Sequence, residues 1–289
     1  MFKLVTWNIQ SGRSPDGKTD LDRIIACLDR LCSFDMLCVQ EVSDGYTDQS
    51  ENQFAMLRER LPGYTGIEAI ACEAAGAGTG ADGGQHALRR FGMMVFSRHP
   101  VLQALRHSLP WPPEPEVMSM PRMALELTVA APGGLLRVTS VHLEYFSQRQ
   151  RLAQVERLRE LHREASHHAR CPPAPGRGPF AVPPRAMPAL LAGDFNMLPG
   201  SPEHQRLLAP FSDGTQPWRD CWQLAQPGRR HAPTVGLHDA NPNAAAPFTF
   251  DYVFASADLA GRVRRVQVDA SEQGSDHQAL LVELDWGAA

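Results

Sequence analysis

The segment Leu190-Leu191-Ala192-Gly193-Asp194-Phe195-Asn196 ends an apolar run with a carboxylate and a carboxamide two residues apart. Strand side chains alternate, so Asp194 and Asn196 are expected on one face while Phe195 turns to the packed side. The carboxylate can take a proton and the amide can donate hydrogen bonds. Other polar residues recur where apolar runs end. Asn8 follows Leu4-Val5-Thr6-Trp7, Glu41 follows Met36-Leu37-Cys38-Val39-Gln40, and His142 follows the run from Leu136 to Val141. Asp251 lies within Phe248-Thr249-Phe250-Asp251-Tyr252-Val253-Phe254, and Asp276-His277 stand just before Ala279-Leu280-Leu281-Val282. Strands that each end in a polar group are how layered α/β enzymes assemble a site.

These residue types suit hydrolysis of a phosphate ester. That reaction needs a cation against the developing charge, an activated water, and donors on the non-bridging oxygens. Glu41 is an oxygen ligand of the kind Mg²⁺ or Mn²⁺ takes, Asp276 can be a second, and Asn8 an assisting one.

The blocks Thr6-Trp7-Asn8-Ile9, Gln40-Glu41-Val42, Gly92 to Arg98, Val141-His142-Leu143, Gly193-Asp194-Phe195-Asn196, Phe250 to Phe254 and Ser275-Asp276-His277 follow one another along the chain. In these blocks, and from Phe2 to Leu284, the chain resembles the DNase I-like endonuclease/exonuclease/phosphatase superfamily. One such block is a weak match, and seven in order are a strong one. The resemblance implies a four-layer α/β sandwich of two packed, mostly antiparallel sheets flanked by helices. It also implies roles. Glu41 and Asp276 would hold the metal with Asn8, and Asp194 would position or deprotonate the attacking water. Asn196, His142 and His277 would donate to the phosphoryl group, with Asp251 orienting His277. Arg122, in Ser119-Met120-Pro121-Arg122, is a further candidate for phosphate contact, whereas Arg151 with Gln154 is read as bracing the loop after His142. One position departs from the family pattern. Many members carry an acid two residues after the Asn, where this chain has Gln10, so weaker or more selective Mg²⁺/Mn²⁺ binding is expected.

The elements that must carry these residues are partly legible. Leu21, Ile24, Ile25, Leu28 and Leu31 share one helical face, which predicts a helix over Asp20 to Leu31 with Thr19 as N-cap. A second helix is expected from about Asn52 to Leu61. Ser147 caps the longest, running to about His168, and Ser201-Pro202 opens a short one. Strands are read over Met123 to Ala130 and Leu135 to His142. The Gly- and Ala-rich stretch 71–90 and the Pro-rich stretch 171–188 read as flexible surface loops. Ala75-Gly76-Ala77-Gly78-Thr79-Gly80 lacks the Gly-Lys-Ser/Thr of a phosphate-cradling loop.

Composition sets limits. The blocks span the chain and need one another, so 1–289 is read as a single catalytic domain, and 43% hydrophobic residues can build its core. No apolar run approaches the roughly 20 residues that span a bilayer. The start lacks a long apolar signal region, and the six cysteines show no metal spacing, so a cytoplasmic protein with reduced thiols is expected. A net charge of −4 and a pI near 6.3 give no broad attraction for nucleic acid.

The reading is a Mg²⁺- or Mn²⁺-dependent phosphoester hydrolase, of the phosphodiesterase or nuclease type, whose partner is a phosphate-ester substrate with nucleic acid among the candidates. A phosphomonoesterase acting on a small phosphorylated metabolite or inositol phosphate is the alternative. A non-catalytic binding module is a third, which the completeness of the polar set argues against. Leu143 to Arg151 is more similar to sphingomyelinase or tyrosyl-DNA phosphodiesterase members than to abasic-site nucleases. Arg122 is the one clear cation for a doubly charged terminal phosphate, which favours a diester.

Overall fold

The computed structural model describes residues 1–46, 51–76, 88–239 and 245–287. In chain order its elements are β1 (Phe2–Asn8), α1 (Leu21–Leu31), β2 (Met36–Asp44), α2 (Gln53–Arg60), β3 (Thr65–Ala75), β4 (Leu88–Ser97), β5 (Val101–Ser108), β6 (Met123–Ala131) and β7 (Gly134–His142). They continue with α3 (Gln148–Arg170), β8 (Ala189–Asp194), α4 (Pro202–Leu208), β9 (Trp218–Asp220), α5 (Cys221–Ala225), β10 (Asp251–Ser256), β11 (Val263–Val268) and β12 (Leu280–Leu284). The strands form two six-stranded sheets, in the orders β11-β12-β1-β2-β4-β3 and β5-β6-β7-β8-β10-β9. Among the described residues the parallel pairings are β1 with β2 and β7 with β8. The other neighbours run antiparallel.

Side-chain alternation assigns each residue to a layer. Leu4, Met36, Cys38, Val138, Leu190, Ala192 and Val253 meet in the core between the sheets. Their odd- and even-numbered neighbours turn outward: Val5, Trp7, Leu37 and Val39 pack under α1 and α2, and Val141, Leu191 and Phe254 under α3 and α4. Helices, sheet, sheet and helices make the four-layer sandwich that the motifs implied.

Most helix boundaries match the expectation. Asn52, Ser147 and Ser201 cap α2, α3 and α4 through their side chains. At α1 the cap is Asp20, whose Oδ1 accepts the Arg23 N–H at 3.1 Å, rather than Thr19. Both residue types cap well, and spacing alone does not separate neighbours. The loop expected over 71–90 is shorter. Residues 72–75 and 88–91 pair from Cys72↔Phe91 to Ala75↔Leu88 at the sheet edge, because cross-strand bonding overrides the weak strand preference of Ala and Glu. Residues 77–87, with most of the glycine-rich stretch, lie outside the described residues. The 171–188 stretch is an exposed connection with one tight turn at Gly178–Phe180. Among the described residues no helix is long and apolar enough to cross a membrane.

Candidate active site

The alternation that fills the inter-sheet core also carries polar side chains to one end of it. Asn8 is in phase with Leu4, His142 with Val138, Asp194 with Leu190 and Ala192, and Asp251 with Val253. Each therefore faces between the sheets where the apolar rows give out. Gln40 is in the same phase and joins the sheets below the site, donating to Ser140 Oγ at 3.1 Å and to Thr6 Oγ1 at 3.2 Å.

Glu41 would point outward by this rule, and a bulge re-aims it. Gln40 pairs with Met93 and Val42 with Gly92, leaving Glu41 as the extra residue, at φ +59°. A positive φ at a non-glycine residue costs energy and gathers at functional sites. Gln10, Ser11 and Asn196 share it, at +46°, +51° and +49°. Asn196 thus lies beyond the end of β8 in a left-handed turn, and it reaches the cleft by that turn rather than by strand alternation as the sequence suggested. Its backbone N–H donates to Asp194 Oδ1 at 2.9 Å and its Nδ2 to the Leu143 carbonyl at 2.9 Å. Gly193 has φ +144°, and a Cβ there would lie 2.0 Å from the Val141 carbonyl oxygen, so the residue before Asp194 has to be glycine.

One amide ties the two sheets' carboxylates together. Asn8 Nδ2 donates to Glu41 Oε1 at 2.9 Å and to Asp194 Oδ2 at 3.0 Å, while Asn8 Oδ1 accepts the Gln10 N–H at 3.0 Å. His277 Nδ1 meets Asp251 Oδ2 at 2.9 Å. Its backbone is held by Ser275 Oγ and by Trp7 Nε1, which donates to its carbonyl at 2.8 Å. His277 Nε2 is 3.8 Å from Asp194 Oδ2, and His142 Nε2 is 3.6 Å from the same oxygen and 3.8 Å from Glu41 Oε1. These separations exceed hydrogen-bond length, so both imidazoles aim an uncommitted Nε2 at the space beside Asp194.

The charges are strongly perturbed. Burial pushes the Asp194 carboxyl up to about 7; the charge of His277 opposes that shift, and the Asp251 carboxylate adds to it. Burial works against charging His277 too, yet Asp251, Asp194 and Asp276 outweigh it and raise the imidazole to about 10. His142 is the reverse: burial, then the positive charges of Arg122 and His277, hold it well below the ordinary histidine value, and it is neutral at pH 7. Burial raises Glu41, opposed by its bond from Asn8. One charged and one neutral imidazole, placed around a carboxyl that is reluctant to ionise, can hold and move a proton beside a bound anion.

Asp276 lines the same cleft, with Oδ2 accepting the Gln10 Nε2–H at 2.9 Å and Oδ1 facing Ser275 Oγ at 3.2 Å. A buried carboxylate whose ionisation is disfavoured gains from a nearby cation, and hard oxygen donors suit a divalent ion. The ligand-type atoms of Asp194, Asp251 and His277 lie within 4.8 Å of one another, a buried Asp/His cluster consistent with divalent metal binding. Glu41 and Asp276, outside that cluster, line the same cleft and bring two further carboxylates to it.

Arg122 is buried beside the cleft, and its Nε donates to Glu144 Oε2 at 3.3 Å. Arg151 does brace the loop: it pairs with Glu203 at 3.0 Å and donates to the carbonyls of Glu144 and Tyr145. The cleft, of about 360 Å³, brings together all the expected site residues except Asn8 and Asp251, which stand behind it. Sequence reasoning missed its walls, where Phe91, Met120, Phe248 and Phe250 arrive from loops and strands far apart in the chain. It also missed the Asp220 hub, where His204 Nε2 at 3.2 Å and His231 Nε2 at 2.6 Å converge on Oδ2.

This fold and this polar set define a phosphoester-hydrolase architecture. The sequence profile of the Endonuclease/Exonuclease/phosphatase family matches residues 5–277, and the chain belongs to that family of metal-dependent phosphoester hydrolases. Among solved structures, an endonuclease/exonuclease/phosphatase from Beutenbergia cavernae is 25% identical with a TM-score of 0.64, over 99% of this chain and 72% of that one. A mannosyl-6-phosphatase of Bacteroides thetaiotaomicron has a TM-score of 0.68 at 17% identity, over 98% and 99%. Truncated TDP2 of Caenorhabditis elegans has a TM-score of 0.61 at 19% identity, over 97% and 96%. Comparison of the sequence with curated proteins finds no match.

Proposed function

We propose that the protein is a Mg²⁺- or Mn²⁺-dependent phosphodiesterase. The observation that carries this reading is the convergence of two uncommitted imidazole Nε2 groups on Asp194 Oδ2 within one cleft. Asp194 takes the proton of the attacking water, its carboxylate fixed by the Asn8 amide and the Asn196 N–H. His142 and His277 donate to the phosphoryl oxygens, and Asp251 keeps the His277 ring oriented and charged as negative charge grows. Asn196 offers its remaining amide hydrogen to the same group. Glu41 and Asp276 would hold the divalent ion with Asn8 assisting, and the ion would supply positive charge against the charge developing on the phosphoryl group.

A diester is favoured over a monoester by the cation count. Among the described residues, Arg122 is the one Lys or Arg side chain lining the cleft, and Glu144 already engages it. A terminal phosphate with two charges calls for more. The test compares hydrolysis of bis(p-nitrophenyl) phosphate with p-nitrophenyl phosphate in Mg²⁺ or Mn²⁺, with EDTA as control. Faster diester cleavage, abolished by EDTA, is expected. Monoester preference would replace this reading with a phosphatase.

A further inference from the structure

Away from the reacting centre, His204, Asp220 and His231 bring three ligand-type atoms within 4.8 Å of one another, and none of the three residues lines the catalytic cleft. His204 Nε2 lies 3.2 Å and His231 Nε2 2.6 Å from the same oxygen, Asp220 Oδ2. The two rings stand nearly perpendicular, at 87°, with centroids 6.1 Å apart, so their nitrogens reach that oxygen from different directions. His204 comes from α4, Asp220 from the end of β9 and His231 from the connection after α5.

The cluster has the dimensions of a metal site. Around a tetrahedral Zn²⁺ with bonds of about 2.0 Å, neighbouring donor atoms stand about 3.3 Å apart. The His204 separation already has that length, and His231, on a connection rather than in a helix or strand, has to withdraw by roughly 0.7 Å to match it. Asp220 is ionised, its carboxyl lowered to about 2, as a ligand has to be. Its Oδ1 accepts the Trp222 N–H at 2.8 Å, which leaves Oδ2 aimed at the imidazoles. Tyr252 packs against both rings, at 5.4 and 5.6 Å, and Trp222 stacks on His231 at 5.8 Å, an apolar shell that limits solvent access. Beside Asp220 and His231, a cavity of about 10 Å³ has the room of one water, which can be a fourth ligand. One contact opposes the arrangement: the Gly200 N–H points at His204 Nδ1. At 3.4 Å it is too long to hold the ring proton on Nε2.

We propose that His204 Nε2, His231 Nε2 and Asp220 Oδ2 bind Zn²⁺, or a first-row divalent ion of similar softness, at a site separate from the catalytic one. Two imidazoles favour such an ion over Mg²⁺, whereas the oxygen donors Glu41, Asp276 and Asn8 favour the harder ion. The cavity has no room for a substrate, so the role is structural. The ion ties α4, which follows the Asp194 turn, to the chain that leads from His231 to Val235 in the cleft wall.

The test strips the full-length protein with EDTA, adds ZnCl₂ in excess Mg²⁺, dialyses, and measures the zinc retained. One Zn²⁺ per chain is expected. Glu41→Gln, which weakens the catalytic metal site, is expected to keep that zinc. His231→Gln is expected to lose it, and His231→Cys, which restores a donor, to hold it. Co²⁺ in place of Zn²⁺ is expected to show the intense visible absorption of a four-coordinate ion. No zinc retained by the parent protein overturns the site and leaves the cluster a hydrogen-bonded clamp. Zinc lost from Glu41→Gln but kept by His231→Gln overturns it too, by placing the ion in the catalytic cleft. Should His231→Gln fail to fold, the Co²⁺ spectrum of the parent decides, and the weak bands of a six-coordinate ion overturn the proposal. Every readout is binding rather than turnover, so the outcome is independent of the phosphodiesterase reading.

Discussion

At the scale of single residues, the site depends on which groups are charged. Asp194→Asn keeps the shape of the side chain and one of the two hydrogen bonds that Asn8 and the Asn196 N–H donate to it, but removes the proton acceptor. Activity is expected to fall by about 10³-fold, the usual weight of a general base, with the far-ultraviolet circular dichroism unchanged. Turnover within tenfold of the parent enzyme would remove Asp194 from the proton transfer. Gln10 carries a second prediction. Its amide occupies Asp276 Oδ2, an oxygen that an incoming ion would otherwise find unengaged. Gln10→Asp removes that donor and adds a negative charge, so the Mg²⁺ concentration needed for half-maximal activity is expected to drop roughly tenfold. An unchanged requirement shows that Gln10 has no part in metal binding. The amino-acid order showed these residues because each follows an apolar run or falls within a family block. It did not show their pairings: Gln10 with Asp276 and Asn8 with Asp194 are separated by 266 and 186 positions, and nothing local marks either contact. The turn at Asn196 was hidden for another reason. Its left-handed backbone is set by the Leu143 and Asp194 bonds of the folded state, while spacing alone suggests a continuing strand.

At the scale of elements, Asp220 fastens α4, which follows the Asp194 turn, to the segment leading from His231 to Val235 beside His277. Burial favours the protonated acid there. Hydrogen bonds from His204 and His231 outweigh burial and lower Asp220 from 3.8 to about 2. A depressed carboxyl stabilises the fold above its unfolded value and loses that contribution as pH falls. Asp220→Asn is thus expected to cost about 2 kcal/mol in denaturant unfolding at pH 7, and the difference from the parent is expected to shrink between about pH 4 and pH 2. A cost that does not change with pH would mean that packing, not charge, makes the clamp important. None of this was visible in sequence, because His204 on α4, Asp220 on β9 and His231 in the connection after α5 share no motif. The strands and long helices were visible, since period and caps are local properties.

For the whole molecule, the two sheets share one core, and the proposed ligands Asn8, Glu41 and Asp276 come from three neighbouring strands, or the approach to them, in one sheet, so an ion that binds only the folded chain adds to global stability. Mg²⁺ or Mn²⁺ at a hundredfold excess over Kd is expected to add about 2.7 kcal/mol and raise Tm by several degrees. Glu41→Gln is expected to abolish most of that rise, and an undiminished shift would place the ion away from Glu41.

The strand orders hold one more consequence. Read outward from β11 and from β5, both sheets pass through two antiparallel neighbours, one parallel step and two further antiparallel neighbours. A single helix makes each parallel crossover, α1 between β1 and β2 and α3 between β7 and β8, and a short helix follows each pair. The molecule is therefore two copies of one topology, packed face to face across a common core. Asn8 and His142 end corresponding strands, and Gln40 in β2 pairs with Asn8 as Asp194 at the end of β8 pairs with His142, so the two repeats bring equivalent positions to the reacting centre. With Phe2 beside Leu284, joining the termini and reopening the chain between β4 and β5 would make each repeat contiguous, each carrying half of one active site.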